Sequence, residues 1–480
     1  MKNFIYKSGM LAIFAGVLLT SCDPEIDNPA PSAGKELDLK KYVAVGNSLT
    51  AGFGDNGLYR EGQLSSYPAL LAQQFARIGG GTFVQPLFTE AQANGSGYLR
   101  LTGFIPAKDP NESPTPILTP VINNLARREA NSSLLTKFTE PINNLGVPGI
   151  KVADIKTPGY GSTKGNPFFE RITPDATPLQ TYLERVAQST DHTFFSLWLG
   201  NNDVLAYATS GGASASAGNQ ITPVATFEAN YTDLVSALTA NGQEGIVATI
   251  PDVSGVPFFT TVGPAVKRSL TKNNVPGMVA ITGAGKERTQ FTTAQINIPT
   301  TGVLFTLTGS AYAPLIGLPT GKYWRDLAVQ VSPDPTNPLF VKGTLLQLLS
   351  TYEIDTTAAF GVSNGNPWPS ALVLDVAEQS LVKDATNKFN EIIKSQASKK
   401  NLAIFDANAY FNSIQKGVVM SGVGYSPAFI TGNLFSLDGV HPTPRGYAII
   451  ANEMIDAINS KYGAIIPKVD ETQYRAVALP

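Results

Sequence analysis

Only two histidines occur among the 480 residues, so the search for a general base is short. His441 stands in Leu437-Asp438-Gly439-Val440-His441-Pro442. A carboxylate three residues ahead of an imidazole, across a glycine turn, can accept from Nδ1, fix the tautomer and support the imidazolium that forms when the ring takes a proton. Asp-x-x-His is also a common turn cap. The other histidine, His192 in Asp191-His192-Thr193, is expected to be an exposed or capping residue at the mouth of a strand. A base needs a nucleophile, and Ser48 follows an apolar run directly in Val45-Gly46-Asn47-Ser48-Leu49. Two further segments offer donors to an oxyanion: an asparagine amide in Leu199-Gly200-Asn201-Asn202-Asp203 and a glycine N–H in Leu145-Gly146-Val147-Pro148-Gly149. Each of these three also reads as a plain strand-end turn.

The elements that must position these residues follow from patterning. Tyr42 to Gly46, Thr193 to Leu199, Gly245 to Ile250 and Leu402 to Phe405 are short runs that are apolar on both faces, as buried parallel strands are. Ile142 to Leu145 supplies another, second in sequence. Between them lie helical stretches over Tyr67–Ile78, Pro223–Ala240 (capped by Thr222), Asp375–Ser398 and a closing Arg445–Tyr462. Strands alternating with helices predict an α/β/α sandwich around a parallel sheet of about five strands. In such a sheet a serine just past the first strand sits where ligands bind. Segments 82–140 and 256–370 are rich in Pro, Thr, Gly and Asn and read as loop-rich insertions that shape a cleft. Phe258, Phe259, Tyr323 and Trp324 in the second are candidates for its lining or for local core. Thr209 to Asn219, a run of small residues, reads as a mobile loop.

The order of the four blocks is more specific than any one of them. In that order the sequence resembles the SGNH hydrolase superfamily, the GDSL-type lipases and esterases, from Val45 to Arg445. The resemblance implies a flavodoxin-like α/β fold and a cofactor-free serine ester hydrolase. It implies Ser48 as nucleophile, Asp438 and His441 as the rest of a triad, and an oxyanion hole made by the Ser48 and Gly149 N–H groups with the Asn202 amide. One departure stands out: the first block usually reads Gly-Asp-Ser-Leu, and here it is Gly46-Asn47-Ser48-Leu49. The triad would serve equally on an acyl lipid or an acylated carbohydrate. A protein that keeps the fold but binds a surface glycan or lipid without turnover is the alternative from another class.

The single cysteine excludes an intramolecular disulfide framework and falls at the end of a leader. Lys2 and Lys7 precede an apolar stretch from Met10 to Leu19 and then Leu19-Thr20-Ser21-Cys22. Residues 1–21 are read as a signal peptide, too short to span a bilayer permanently. The ending resembles a bacterial lipobox, which implies acylation of Cys22 and a lipid anchor to a cell-envelope membrane, facing periplasm or cell surface. Residues 22–39 form an acidic, proline-rich tether, 40–470 the enzyme domain and 471–480 a tail. With 35 basic against 37 acidic residues the net charge is −2, and no nucleic-acid partner is expected. Two histidines and one cysteine leave no zinc-type spacing, so no metal is expected.

Overall fold

Five short segments bury both of their faces and pair in parallel. In the computed structural model these are β1 (Tyr42–Gly46), β2 (Asn144–Gly146), β3 (Phe194–Trp198), β4 (Glu244–Ala248) and β5 (Ala403–Phe405). The structure describes residues 30–480 apart from 36, 108–113, 131, 190, 213–216 and 284. The leader, Cys22 and the first part of the tether therefore lie outside the described residues, as does the middle of the run from Thr209 to Asn219. Strand order is β5-β4-β3-β1-β2, with Val45 opposite both Leu197 and Leu145. The parallel α/β sheet expected from sequence is the one observed. Its second strand begins at Asn144 rather than Ile142; Asn143, just before it, still accepts from the Ala44 N–H while its N–H and side chain bond the Val84 backbone.

Strand alternation divides the core. Val43, Val45, Leu197 and Val247 face one layer, where Phe227 of α4 (Val224–Leu238) stacks on Phe389 of α7 (Val376–Lys399) with centroids 4.0 Å apart. Tyr42, Ala44, Trp198 and Ile246 face the other layer, against Leu70 of α2 (Tyr67–Ala76) and Ile450, Met454 and Ile455 of α8 (Pro444–Tyr462). Both faces are thus covered, as an all-parallel sheet requires. One cap differs from expectation. Pro223, not Thr222, precedes α4, and the Thr222 hydroxyl donates instead to Asp203 at 2.6 Å. His192 is buried, with its ring nitrogens against the carbonyl oxygens of Ser189 and Leu238.

The segments between the sheet elements have structure of their own. Residues 82–140 carry an antiparallel hairpin, Tyr98–Ile105 with Thr115–Val121. Residues 256–370 carry a second hairpin, Gly277–Thr282 with Glu287–Thr292, and the helices α5 (Lys322–Val331) and α6 (Pro338–Thr351). The second hairpin packs into a separate apolar cluster that includes Val266, Leu270, Phe291, Phe305 and Trp368. The chain is already seated on the fold at Ser32, which pairs with Ile465, and Leu37 and Leu39 are buried. Among the described residues no helix is long and apolar enough to cross a membrane.

Candidate active site

Sheet order reverses at β1: the chain leaves it for β2 on one side and later fills the other side with β3. A crevice opens outside the C-terminal ends of strands at such a switch point. Both β1 and β3 end in it, the first running into α1 (Ser48–Ala51) and the second into α3 (Asn202–Thr209). The tightness of the first turn explains Gly46, where a Cβ would lie 2.4 Å from the Trp198 carbonyl oxygen and 2.1 Å from the Thr50 hydroxyl. Asn47 caps α1, its Oδ1 accepting from the Leu49 N–H at 3.0 Å. Ser48 is therefore the first helical residue, with an N–H that has no intrahelical partner and points to the helix N-terminus.

Ser48, Asp438 and His441 meet there, although Ser48 and Asp438 are 390 positions apart in the chain. His441 Nε2 stands 2.8 Å from Ser48 Oγ, and Nδ1 stands 3.0 Å from Asp438 Oδ2. A carboxylate only accepts, so Nδ1 carries the hydrogen and Nε2 is left with its lone pair toward the serine. Asp438 is fully engaged: Oδ1 accepts from the backbone N–H groups of Val440 and His441, and Oδ2 also accepts from Asn56 N–H at 2.9 Å. Burial alone would raise its pKa, but the His441 charge and these hydrogen bonds outweigh it and hold the carboxyl down at about 2. Asp438 is thus an anion at neutral pH.

The donors expected for an oxyanion lie on the segments after β2 and β3. Pro148 and Gly149 form the corner of a turn closed by the Ile150 N–H on the Val147 carbonyl, with Gly149 at φ +84°. In such a turn the second corner residue needs a positive φ and keeps its N–H free. Among the described residues no acceptor takes the Gly149 N–H. Asn202 spends one amide hydrogen on the Ile150 carbonyl at 2.9 Å, and its second remains. Asn202, Ser48 and His441 line one narrow slot of ≈ 50 Å³, walled by Leu49, Trp198, Val253 and Phe435 among others. Gly149 is not part of that wall; it is exposed at the neighbouring turn.

Several polar residues that sequence alone does not single out hold these parts together. The Asn47 amide donates to Asn201 Oδ1 at 3.1 Å, joining the serine turn to the asparagine turn inside the protein. An aspartate in place of Asn47 has no hydrogen to give there. Asp203, beside Asn202, accepts from Val152 N–H at 2.8 Å and Ala153 N–H at 3.3 Å, which stitches α3 to the Gly149 turn. Burial raises its pKa to about 6 against these bonds. Asp55 accepts from Leu437 N–H at 3.0 Å and from the Tyr59 hydroxyl at 2.8 Å, and burial raises its pKa as well. Arg475, in the segment read as a tail, closes this group by donating to Glu61 at 2.7 Å and to the Tyr59 hydroxyl at 2.9 Å. The signals were faint: the Asn47 departure itself, Asp203 next to a motif residue, and the Asp55-Asn56-Gly57 turn, whose first two residues adopt positive φ.

Phe258 and Phe259 are candidates for a cleft lining or for local core. Phe259 is core, and the Phe258 N–H donates to the Gly439 carbonyl at 2.9 Å, seating the turn between Asp438 and His441. A Cβ on Gly439 would come within 2.9 Å of that nitrogen. Among the described residues no three His, Cys, Asp or Glu side chains converge as metal ligands.

Comparison with protein-family models and with curated proteins found no match. Among solved structures, the chain aligns with an extracellular lipase from Streptomyces rimosus at 11% identity, over 87% of this chain and 98% of that one, with a TM-score of 0.31.

Proposed function

We propose that the protein is a serine ester hydrolase of the SGNH type. The observation that carries this is the unbroken relay from Asp438 Oδ2 through His441 to Ser48 Oγ, with contacts of 3.0 and 2.8 Å. The spacing is that of a nucleophile, its base and the group that orients the base. His441 Nε2 takes the Ser48 proton as Oγ attacks the ester carbonyl. The new oxyanion is met by the Ser48 N–H, the Gly149 N–H and the free Asn202 amide hydrogen. His441, now an imidazolium paired with Asp438, returns the proton to the leaving alcohol. Water then takes the alcohol's place and releases the acid by the same steps. Asp438 remains ionised throughout.

The slot beside Ser48 is walled by apolar side chains, Leu49, Leu205, Val253 and Phe435 among them, which suits the acyl part of an ester. On the leader sequence, the same reading places the enzyme in a bacterial cell envelope, anchored through acylated Cys22. The test is hydrolysis of nitrophenyl esters from acetyl to long acyl chains by the chain from Asp23 onward, beside Ser48→Ala. Turnover by the wild type, abolished in the variant, is expected, and its chain-length profile identifies the acyl group. Activity that survives Ser48→Ala overturns the mechanism. A protein that neither turns over any ester nor reacts with a fluorophosphonate is a binding protein on this fold.

A further inference from the structure

A second and larger cavity, of ≈ 460 Å³, opens between α5 and the end of α3. That volume falls within the range of small-molecule sites, roughly 300–1,000 Å³. Four aromatic rings form its wall in an unbroken series. Tyr312 meets Tyr323 at a centroid distance of 5.3 Å, Tyr323 meets Trp324 at 5.1 Å, and Trp324 meets Tyr352 at 5.1 Å. The three tyrosines are half-buried, so their rings support the wall and still meet solvent. The Tyr323 and Tyr352 hydroxyls have no protein partner among the described residues. Asp326 and Gln330 add polar groups, Asp326 accepting from the Tyr312 hydroxyl at 2.9 Å.

This combination selects among ligand classes. A fatty chain would leave the hydroxyls, Asp326 and Gln330 without partners. An anion would meet the Asp326 carboxylate, and the nearby Lys322 is already paired with it. A pyranose ring fits both halves, because it offers an apolar C–H face to an aromatic ring and a rim of hydroxyls to polar groups. Position adds the second argument. Leu205 lines the catalytic slot and Thr209 lines the aromatic cavity, and both belong to α3. Residues four apart share a helix face about 6 Å apart along the axis. The Thr209 hydroxyl also donates to the Leu205 carbonyl at 2.8 Å. From the other side, Leu307 lies against Gly439 of the turn between Asp438 and His441, and the next residue, Thr308, lines the cavity.

We propose that the aromatic cavity is a carbohydrate subsite that holds the sugar of an acylated glycan while its ester enters the slot at Ser48. Its part in turnover rests on the hydrolase reading; binding of the sugar does not. The experiment is calorimetric titration of the Ser48→Ala protein with short neutral xylo-, manno- and cello-oligosaccharides. Binding of at least one at roughly millimolar Kd or tighter is expected, weakened about tenfold by Tyr352→Ala. Tyr323→Phe keeps the ring and the packing and should weaken it by a smaller factor. In the otherwise wild-type enzyme, Tyr352→Ala should lower kcat/KM about tenfold on an acetylated oligosaccharide and leave nitrophenyl acetate unchanged. Absence of binding by folded protein, or binding indifferent to both tyrosine substitutions, overturns the subsite. Fluorophosphonate labelling of Ser48 reports the hydrolase reading separately. Protein that labels but binds no oligosaccharide refutes the cavity proposal alone, and protein that binds but does not label refutes only the catalytic one.

Discussion

Replacing Asp438 by asparagine changes one atom type and should nearly silence the enzyme. Both carboxylate oxygens accept, together taking N–H groups from Val440, His441 and Asn56 and the His441 ring Nδ1–H. An amide offers one accepting oxygen and an NH2. If the oxygen stays with Val440 and His441, the NH2 faces the Asn56 N–H and the imidazole Nδ1. The ring can then satisfy it only by accepting at Nδ1, which moves the hydrogen to Nε2 and removes the base from Ser48. The same change in a protease triad costs about 10⁴ in kcat, or ~5.5 kcal/mol in the barrier at 1.36 kcal/mol per tenfold. Stability should fall as well. A carboxyl held at about 2 against an ordinary ~3.9 contributes ~2.6 kcal/mol, present above pH ~3.9 and lost as pH falls through 2. The assay is nitrophenyl acetate turnover and urea unfolding at neutral pH, wild type beside Asp438→Asn. A variant that unfolds as wild type and keeps kcat within about tenfold would refute the tautomer argument.

Other perturbations probe the parts around the triad. Asn202→Ala removes a side-chain donor to the oxyanion and should lower kcat by ~10²–10³, with Tm shifted far less than kcat; an unchanged kcat removes Asn202 from that role. Asn47→Asp restores the usual motif but leaves Asn201 Oδ1 facing a carboxylate, and should cost ~1–3 kcal/mol of stability; an unchanged unfolding midpoint would show that Asn201 turns its amide freely. Asp203 has a pKa raised to about 6, so its contribution is complete below pH ~3.9 and is lost as pH rises through 6. Urea unfolding of wild type and Asp203→Asn should therefore show a stability difference that moves against wild type by roughly 3 kcal/mol from pH 4 to pH 7, and a pH-independent difference contradicts the raised pKa.

What the sequence reveals and conceals has a physical pattern. The strands were legible because a parallel sheet covered on both faces demands runs such as Phe194-Phe195-Ser196-Leu197-Trp198, where both parities are apolar. Ser48, Asp438 and His441 were legible because histidine is scarce here and each candidate sits in a short local motif. The Asn47–Asn201 and Asp55–Leu437 contacts span 154 and 382 residues, and a directional bond between two loops leaves no periodicity in either. For His192, placed before a strand, the sequence allows an exposed or a capping role; the ring is buried and caps, set against the Leu238 carbonyl at the end of α4, which lacks an intrahelical donor. In residues 256–370 the Pro, Thr and Gly content conceals a hairpin and helices, and most of the buried apolar side chains there join a cluster apart from the sheet core.

The site is assembled from four separate stretches of chain, and apolar packing alone would leave them room to slide. Two junctions are made by buried polar side chains next to a candidate catalytic group: Asn47 joins the Ser48 turn to Asn201, and Asp203 joins α3 to the turn of Gly149. A third is a backbone bond, the N–H of exposed Asn56 joining the loop after Ser48 to Asp438. Directional bonds of about 3 Å resist displacements that a methyl group in an apolar contact tolerates, and acyl transfer requires its groups held within about 0.5 Å. That requirement gives the buried Asn47 and Asp203 a reason to persist where burying a polar group is costly. It also accounts for Asn47. At a buried position whose partner is the Asn201 carbonyl oxygen, the amide supplies the donor that a carboxylate lacks, while its Oδ1 still caps the helix that presents Ser48.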